Sequence, residues 1–189
     1  LFRSIQGEVY ESIKPLKKWI DIDLATASFG QGISVTPLQL IQAFSGLANG
    51  GAMVKPYVVK QIIRENGKVE EVGKTQTTQV ITAKTASEVA AMMVNVVEKG
   101  HGKKAGVPGY YVAGKTGTAQ VPLKGGKGYD TNNNIGSFIG FAPVEDPKFV
   151  MLVRVNHPRS VSFAESTAAP AWGSIAAFLL QHFKVAPTR

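Results

Sequence analysis

The sequence predicts an α+β domain built as an antiparallel sheet flanked by helices, and three observations carry that expectation. Three extended stretches, residues 110–121, 135–141 and 148–155, follow one another, the last two joined only by the proline-bounded turn 143–147. Strands joined this tightly pair antiparallel. Helical patterns stand on either side of the three stretches in the chain. The run Phe149-Val150-Met151-Leu152-Val153 is apolar on both alternating faces, so that strand needs cover on both, which helices packed on the two faces of one sheet would supply. With 189 residues and 44% hydrophobic content, the chain can bury one sizeable core, and residues 1–189 are read as one unit.

The first helix opens at Thr36-Pro37, where the threonine can cap free amides and proline suits the first turn. Its apolar stripe is Leu40, Phe44, Leu47 and Ala48, and Asn49-Gly50-Gly51 tolerates the left-handed backbone that ends helices. Residues 55–64 read as a strand, and Glu65-Asn66-Gly67-Lys68 turns it into a short partner at 69–72. A second helix is marked by a capping box, Thr85-Ala86-Ser87-Glu88, and by Val89, Met92, Met93, Val96 and Val97 at helical spacing. It ends at Gly100, and both methionines read as core filling. A third helix follows Pro170 and aligns Trp172, Ile175, Leu179 and Phe183 along one side.

Composition narrows the chemistry. Cysteine is absent, which removes disulfides, thiolate metal sites and a cysteine nucleophile. His101, His157 and His182 are scattered without metal-ligand spacing, so neither a metal nor another cofactor is called for. The net charge is +8. Between Glu98 and Tyr129 the stretch carries Lys99, Lys103, Lys104, Lys115, Lys124 and Lys127 with Glu98 as its single acid, a local positive field suited to an anionic ligand. The loop lysines other than Lys115 read as a solvated surface. No arginine cluster or aromatic interleaving accompanies the charge, so nucleic acid is not expected as a partner. No apolar run reaches membrane-spanning length, and Leu1 in first position is not an initiator methionine. The expectation is a fragment whose export signal or membrane anchor, if any, lies upstream.

The sharpest chemical signal is Lys115-Thr116-Gly117-Thr118 inside an extended segment. A lysine offers a fixed cation, two threonines offer hydroxyl donors to a carboxylate, and glycine lets another backbone approach closely. On a cleft-side strand these types make an anion-recognising edge, along which a peptide can lie as an added strand. The amide of Thr118 could then stabilise an oxyanion. A lone Lys-Thr-Gly is weak, and the competing reading is a threonine-rich surface strand with a solvated lysine.

Other segments agree with the first reading. They are the run from Asp23 through Ser28-Phe29-Gly30-Gln31-Gly32, then Ser34-Val35-Thr36-Pro37-Leu38-Gln39-Leu40, Ala48-Asn49-Gly50-Gly51 and Ala113-Gly114 through Ala119-Gln120. Ser137-Phe138-Ile139-Gly140-Phe141-Ala142-Pro143 with Asp146-Pro147-Lys148, and Ala168-Ala169-Pro170, complete the set. In order and spacing they closely resemble class B penicillin-binding proteins, the D,D-transpeptidases of peptidoglycan synthesis, from about Asp23 to the end. The resemblance implies a serine β-lactamase/transpeptidase-like fold and the C-terminal half of a transpeptidase domain. It implies acyl transfer from a peptidoglycan stem peptide, which β-lactams imitate, at an extracytoplasmic site. The position of Lys115 would polarise the site, those of Thr116 and Thr118 would bind carboxylate, Gly117 would allow close approach, and the Thr118 amide would form half the oxyanion hole. The implied partners are the stem peptide or a β-lactam, the missing N-terminal half of the domain, and other cell-wall synthesis proteins.

The chain also departs from that family. No serine has a lysine three residues on or an asparagine two residues on, Ser12, Ser28, Ser45 and Ser137 included, so neither the Ser-x-x-Lys nucleophile nor the Ser-x-Asn motif is present. The fragment alone is therefore expected to be inactive. His101 reads as a solvated loop side chain or a contact at the cleft rim. Residues 160–167 carry Phe163-Ala164-Glu165-Ser166 where a glycine pair is usual, and Glu165 reads as a surface acid. Two further readings remain open, a D,D-carboxypeptidase or β-lactamase of the same fold, and a non-catalytic sensor of β-lactams or peptides. Apolar surface around Trp19 is expected to be exposed and to favour association with the missing half.

Overall fold

The computed structural model describes residues 13–123, 128–159, 161 and 163–189. Helix α1 (Asp21–Ala27) precedes α2 (Pro37–Ala48), four short strands follow, β1 (Ala52–Val54), β2 (Gln61–Ile63), β3 (Val69–Glu71) and β4 (Thr77–Gln79), and then α3 (Ala83–Glu98). The long strands β5 (Ala113–Pro122), β6 (Tyr129–Ala142) and β7 (Phe149–Asn156) come next, and α4 (Ala168–His182) closes the order. Strands β5, β6 and β7 form one antiparallel sheet in that order. Two small antiparallel pairs, β1 with β4 and β2 with β3, lie outside it.

Local chemistry sets the helix starts. The Thr36 hydroxyl accepts the Gln39 amide at 3.2 Å and the Gln39 side chain accepts the Thr36 amide at 2.8 Å, a reciprocal box with Pro37 in the first turn. Helix α3 begins one turn earlier than its Thr85–Glu88 pattern suggests. Thr82 is the N-cap, its hydroxyl accepting the Thr85 amide at 3.1 Å. Helix α4 begins at Ala168, ahead of Pro170, which a first-turn proline permits because the first amides of a helix have no internal partner.

The buried faces differ from the expected stripes. Helix α3 buries Ala86, Ala90, Met93 and Val97, while Met92 is 66% exposed, so one of the two methionines fills core. Helix α4 buries Ala168, Ala169, Trp172, Gly173, Ala176 and Leu180, leaving Ile175 and Phe183 on the outside. The strand read at 55–64 is ordered in β2 only from Gln61 to Ile63, since Pro56 brings no amide to a ladder. Its turn is as expected, with Gly67 at φ +77°.

Two apolar layers sandwich the large sheet. On one face Trp172 of α4 meets Phe138 with ring centroids 5.2 Å apart, and its indole N–H donates to the Met151 carbonyl at 2.8 Å. Val97, Val112, Ala176 and Leu180 fill in around them. On the other face Ala113 and Phe141 pack with Ala90 and Met93 of α3, against Phe44 and Leu47 of α2. Strand β7 runs half-buried through most of its length, with helices on both sides.

Candidate functional site

Residues 115–118 lie in β5, the outermost strand of the large sheet. Among the described residues its far edge pairs with no strand. Side chains alternate across a strand, and a Cβ on Gly114 would strike the Phe138 ring at 2.2 Å, which fixes the sense of the alternation. Gly114, Thr116 and Thr118 therefore share the α4 face, whereas Lys115 and Gly117 belong to the face that α2 and α3 cover further along. Lys115 and Thr118 are exposed and Thr116 and Gly117 are half-buried. The Lys115 ammonium donates to the Thr116 carbonyl at 2.9 Å.

The sheet register supplies what stands behind the motif. Lys115 lies opposite Ile139, Gly117 opposite Ser137 and Thr118 opposite Gly136. The Ser137 hydroxyl donates to the Gly117 carbonyl at 3.3 Å, and Arg154 of β7, exposed, follows Ser137 in the same row. A β-bulge after Gln120 ends this register. Lys124 and Lys127 lie outside the described residues.

His101 and Glu165, 64 positions apart, meet at 2.8 Å between Nδ1 and Oε2. The sequence offered no link between them, since such a contact follows no local period. Ser137 was visible only as part of a matched segment, because its place opposite Gly117 depends on register. A groove of about 500 Å³ between the end of α2, α3 and the turn 143–147 is lined by residues including Ala86, Ala90, Tyr111 and Phe141. It contains none of residues 115–118. Among the described residues no group of three or more His, Asp or Glu side chains could hold a metal ion, and no helix is long and apolar enough to cross a membrane.

Among the described residues two carboxylates have lowered pKa values, both away from β5. Asp23 is held below the usual carboxylate range by its bond from Lys14, 2.5 Å, and by the Ile20 amide. Glu98 is held low by the two-pronged bond from Arg189, 2.9 and 3.0 Å. The Arg189 guanidinium also stacks over the Tyr111 ring at 4.6 Å.

The family model described as the penicillin-binding protein transpeptidase domain matches residues 6–177. The chain belongs to that family. Stage V sporulation protein D of Bacillus subtilis is 40% identical to this chain over 188 residues, which cover 98% of the chain and 29% of that protein. Penicillin-binding protein PbpB of Mycolicibacterium smegmatis is 34% identical over 191 residues, covering 96% and 29%. Among solved structures, penicillin-binding protein 3 of Mycobacterium tuberculosis in its apo form superposes with a TM-score of 0.87 at 31% identity, over 97% of this chain and 43% of that one. The same mycobacterial protein complexed with ampicillin matches at the same TM-score. The chain thus has the α+β fold of these relatives and spans less than a third of the first and second of them.

Proposed function

We propose that the complete protein is a serine D,D-transpeptidase that cross-links peptidoglycan outside the cytoplasm, and that residues 115–118 form its donor-binding strand. The observation that carries this reading is the position of Lys115-Thr116-Gly117-Thr118 on the outermost strand of a transpeptidase-family sheet, with Lys115 and Thr118 exposed. In the proposed reaction a serine outside these 189 residues attacks the carbonyl of the penultimate D-Ala of a stem peptide. The C–N bond breaks, the terminal D-Ala leaves carrying a proton on its amine, and an acyl-enzyme remains. The amine of a neighbouring stem then attacks that ester, releasing the serine and forming the cross-link.

In this scheme the strand supplies recognition and charge stabilisation. The threonine hydroxyls bind the terminal carboxylate, since charge-assisted bonds are the strong ones, and the Lys115 cation polarises the site. The Thr118 amide provides half the oxyanion hole, a donor in place before charge develops. A β-lactam enters as a mimic of the donor. The remainder of the domain is the partner that brings the nucleophile.

Labelling with a fluorescent penicillin tests the reading. The complete protein should form a covalent band that a D-Ala-D-Ala stem pentapeptide retards, and the 189-residue chain alone should not label. Absence of a band from the folded complete protein, or rapid turnover of the drug in place of a lasting adduct, would refute transpeptidation.

A further inference from the structure

Two contacts tie the loop after α3 to the 3-10 turn Ala164–Ser166. One is the His101–Glu165 pair at 2.8 Å, and the other runs from the Lys104 ammonium to the Ser166 hydroxyl at 3.2 Å. The loop side of this clasp is well anchored. The Gly102 amide bonds the Val96 carbonyl at 3.0 Å, Ala105 is fully buried, and Gly173 of α4 lies so near that a Cβ on it would meet the Lys104 carbonyl oxygen at 2.8 Å.

The turn side reaches the binding strand. A Cβ on Gly136 would stand 2.6 Å from the Thr167 hydroxyl and 3.3 Å from the Ala164 Cα, so at Gly136 the turn sits on the bare backbone of β6. Gly136 is the register partner of Thr118. Both lie on the α4 face, so the turn abuts the sheet beside Thr118 with no intervening side chain from β6.

We infer that His101 and Glu165 are positioning residues for Thr118. The pair transmits the fixed position of the α3 loop to the turn, and the turn sets the depth of the strand that carries the Thr118 amide. This rests on the transpeptidase reading above. The two side chains are largely in water, at 86% and 41% exposure, where an ion pair adds little to folding. Placement is a different matter, because small misalignments of a reacting group cost rate steeply. An oxyanion donor acts on the bond-making step, so the effect belongs in the acylation rate constant rather than in the affinity of the first encounter.

The test uses the complete protein with a penicillin whose acylation can be followed in a stopped-flow instrument. His101→Ala and Glu165→Gln should each slow acylation about threefold to tenfold, with the pre-acylation dissociation constant unchanged. The double variant should be no slower than the worse single one. Exchanging the pair as His101→Glu with Glu165→His should restore at least half the loss. Hydrogen exchange of peptides covering 116–119 and 164–167 should quicken in both single variants, a readout that stands even if the wild-type protein fails to acylate and the transpeptidase reading falls. Wild-type exchange and acylation in Glu165→Gln, the milder change, would overturn the inference. So would fully additive losses, or a swap that restores nothing.

Discussion

Ser137 and Gly117 face each other across the β5–β6 register, and the serine hydroxyl donates to the glycine carbonyl at 3.3 Å. A methyl group on Gly117 would stand 2.7 Å from that oxygen, so the absence of a side chain there makes room for the bond behind the motif. Gly117→Ala should turn the hydroxyl away and cost about 1 kcal/mol, read from the denaturant midpoint. Because the clash is with one oxygen, adding Ser137→Ala should cost less than the sum of the two single changes. Strict additivity in that double-mutant cycle would mean that the two residues do not communicate.

Gly140 gives the contrasting case. A Cβ there would meet the Ala113 carbonyl oxygen at 2.5 Å, the Gly114 Cα at 3.1 Å and the Trp172 ring at 3.1 Å, none of which can rotate aside. Gly140→Ala should therefore destabilise by about 2–3 kcal/mol, well beyond Gly117→Ala. Equal denaturant midpoints for the two variants would contradict the close seating of Trp172 on the sheet.

These positions mark how far the sequence can be read. Signals confined to a few residues translate directly, as Thr36-Pro37 does into the α2 cap and Asn66-Gly67 into the β2–β3 turn. Where two local solutions overlap, the pattern misplaces the boundary. Thr82 and Thr85 both suit an N-cap, and Thr82 wins because the longer helix adds a turn of good formers while still burying Ala86 and Ala90. On α4 the large side chains mislead. Close approach to the sheet selects Ala168, Ala169 and Ala176 beside Trp172, leaving Ile175 and Phe178 outside. The Lys115–Thr118 motif is contiguous and was legible, but Ser137 behind it needs register, and the His101–Glu165 contact needs the tertiary fold.

Acid should release the clasp between α3 and Arg189. Arg189 holds the Glu98 carboxyl below its usual pKa in the folded state, so the pair adds stability at every pH above the ordinary glutamate value, roughly 4.3. That increment is lost as pH falls from there through the lower folded value. Glu98→Gln should accordingly cost about 0.5–1 kcal/mol at pH 7, and the gap between variant and wild type should close towards pH 3, followed by urea denaturation. A gap that widens in acid would reverse the assigned sign.

The carboxylate-binding and oxyanion roles proposed for β5 can be separated at Thr118, because its hydroxyl and its backbone amide come from one residue but only the hydroxyl is removed by mutation. Thr118→Val keeps the shape and the amide, so first-encounter affinity for a penicillin should weaken by about 1–3 kcal/mol for the lost bond to a charged group, while the acylation step changes little. Lys115→Met removes the cation, which now lies exposed against the Thr116 carbonyl, and should slow acylation by about a hundredfold or more. Lys115→Arg keeps the charge but replaces a compact ammonium by a planar fork, and should fall between. An ester of the drug that lacks the carboxylate discriminates further, since wild type and Thr118→Val should bind it alike if the hydroxyl serves that group. Were the ester to distinguish them as strongly as the free acid does, the hydroxyl would be contacting some other part of the ligand and the carboxylate assignment would fail.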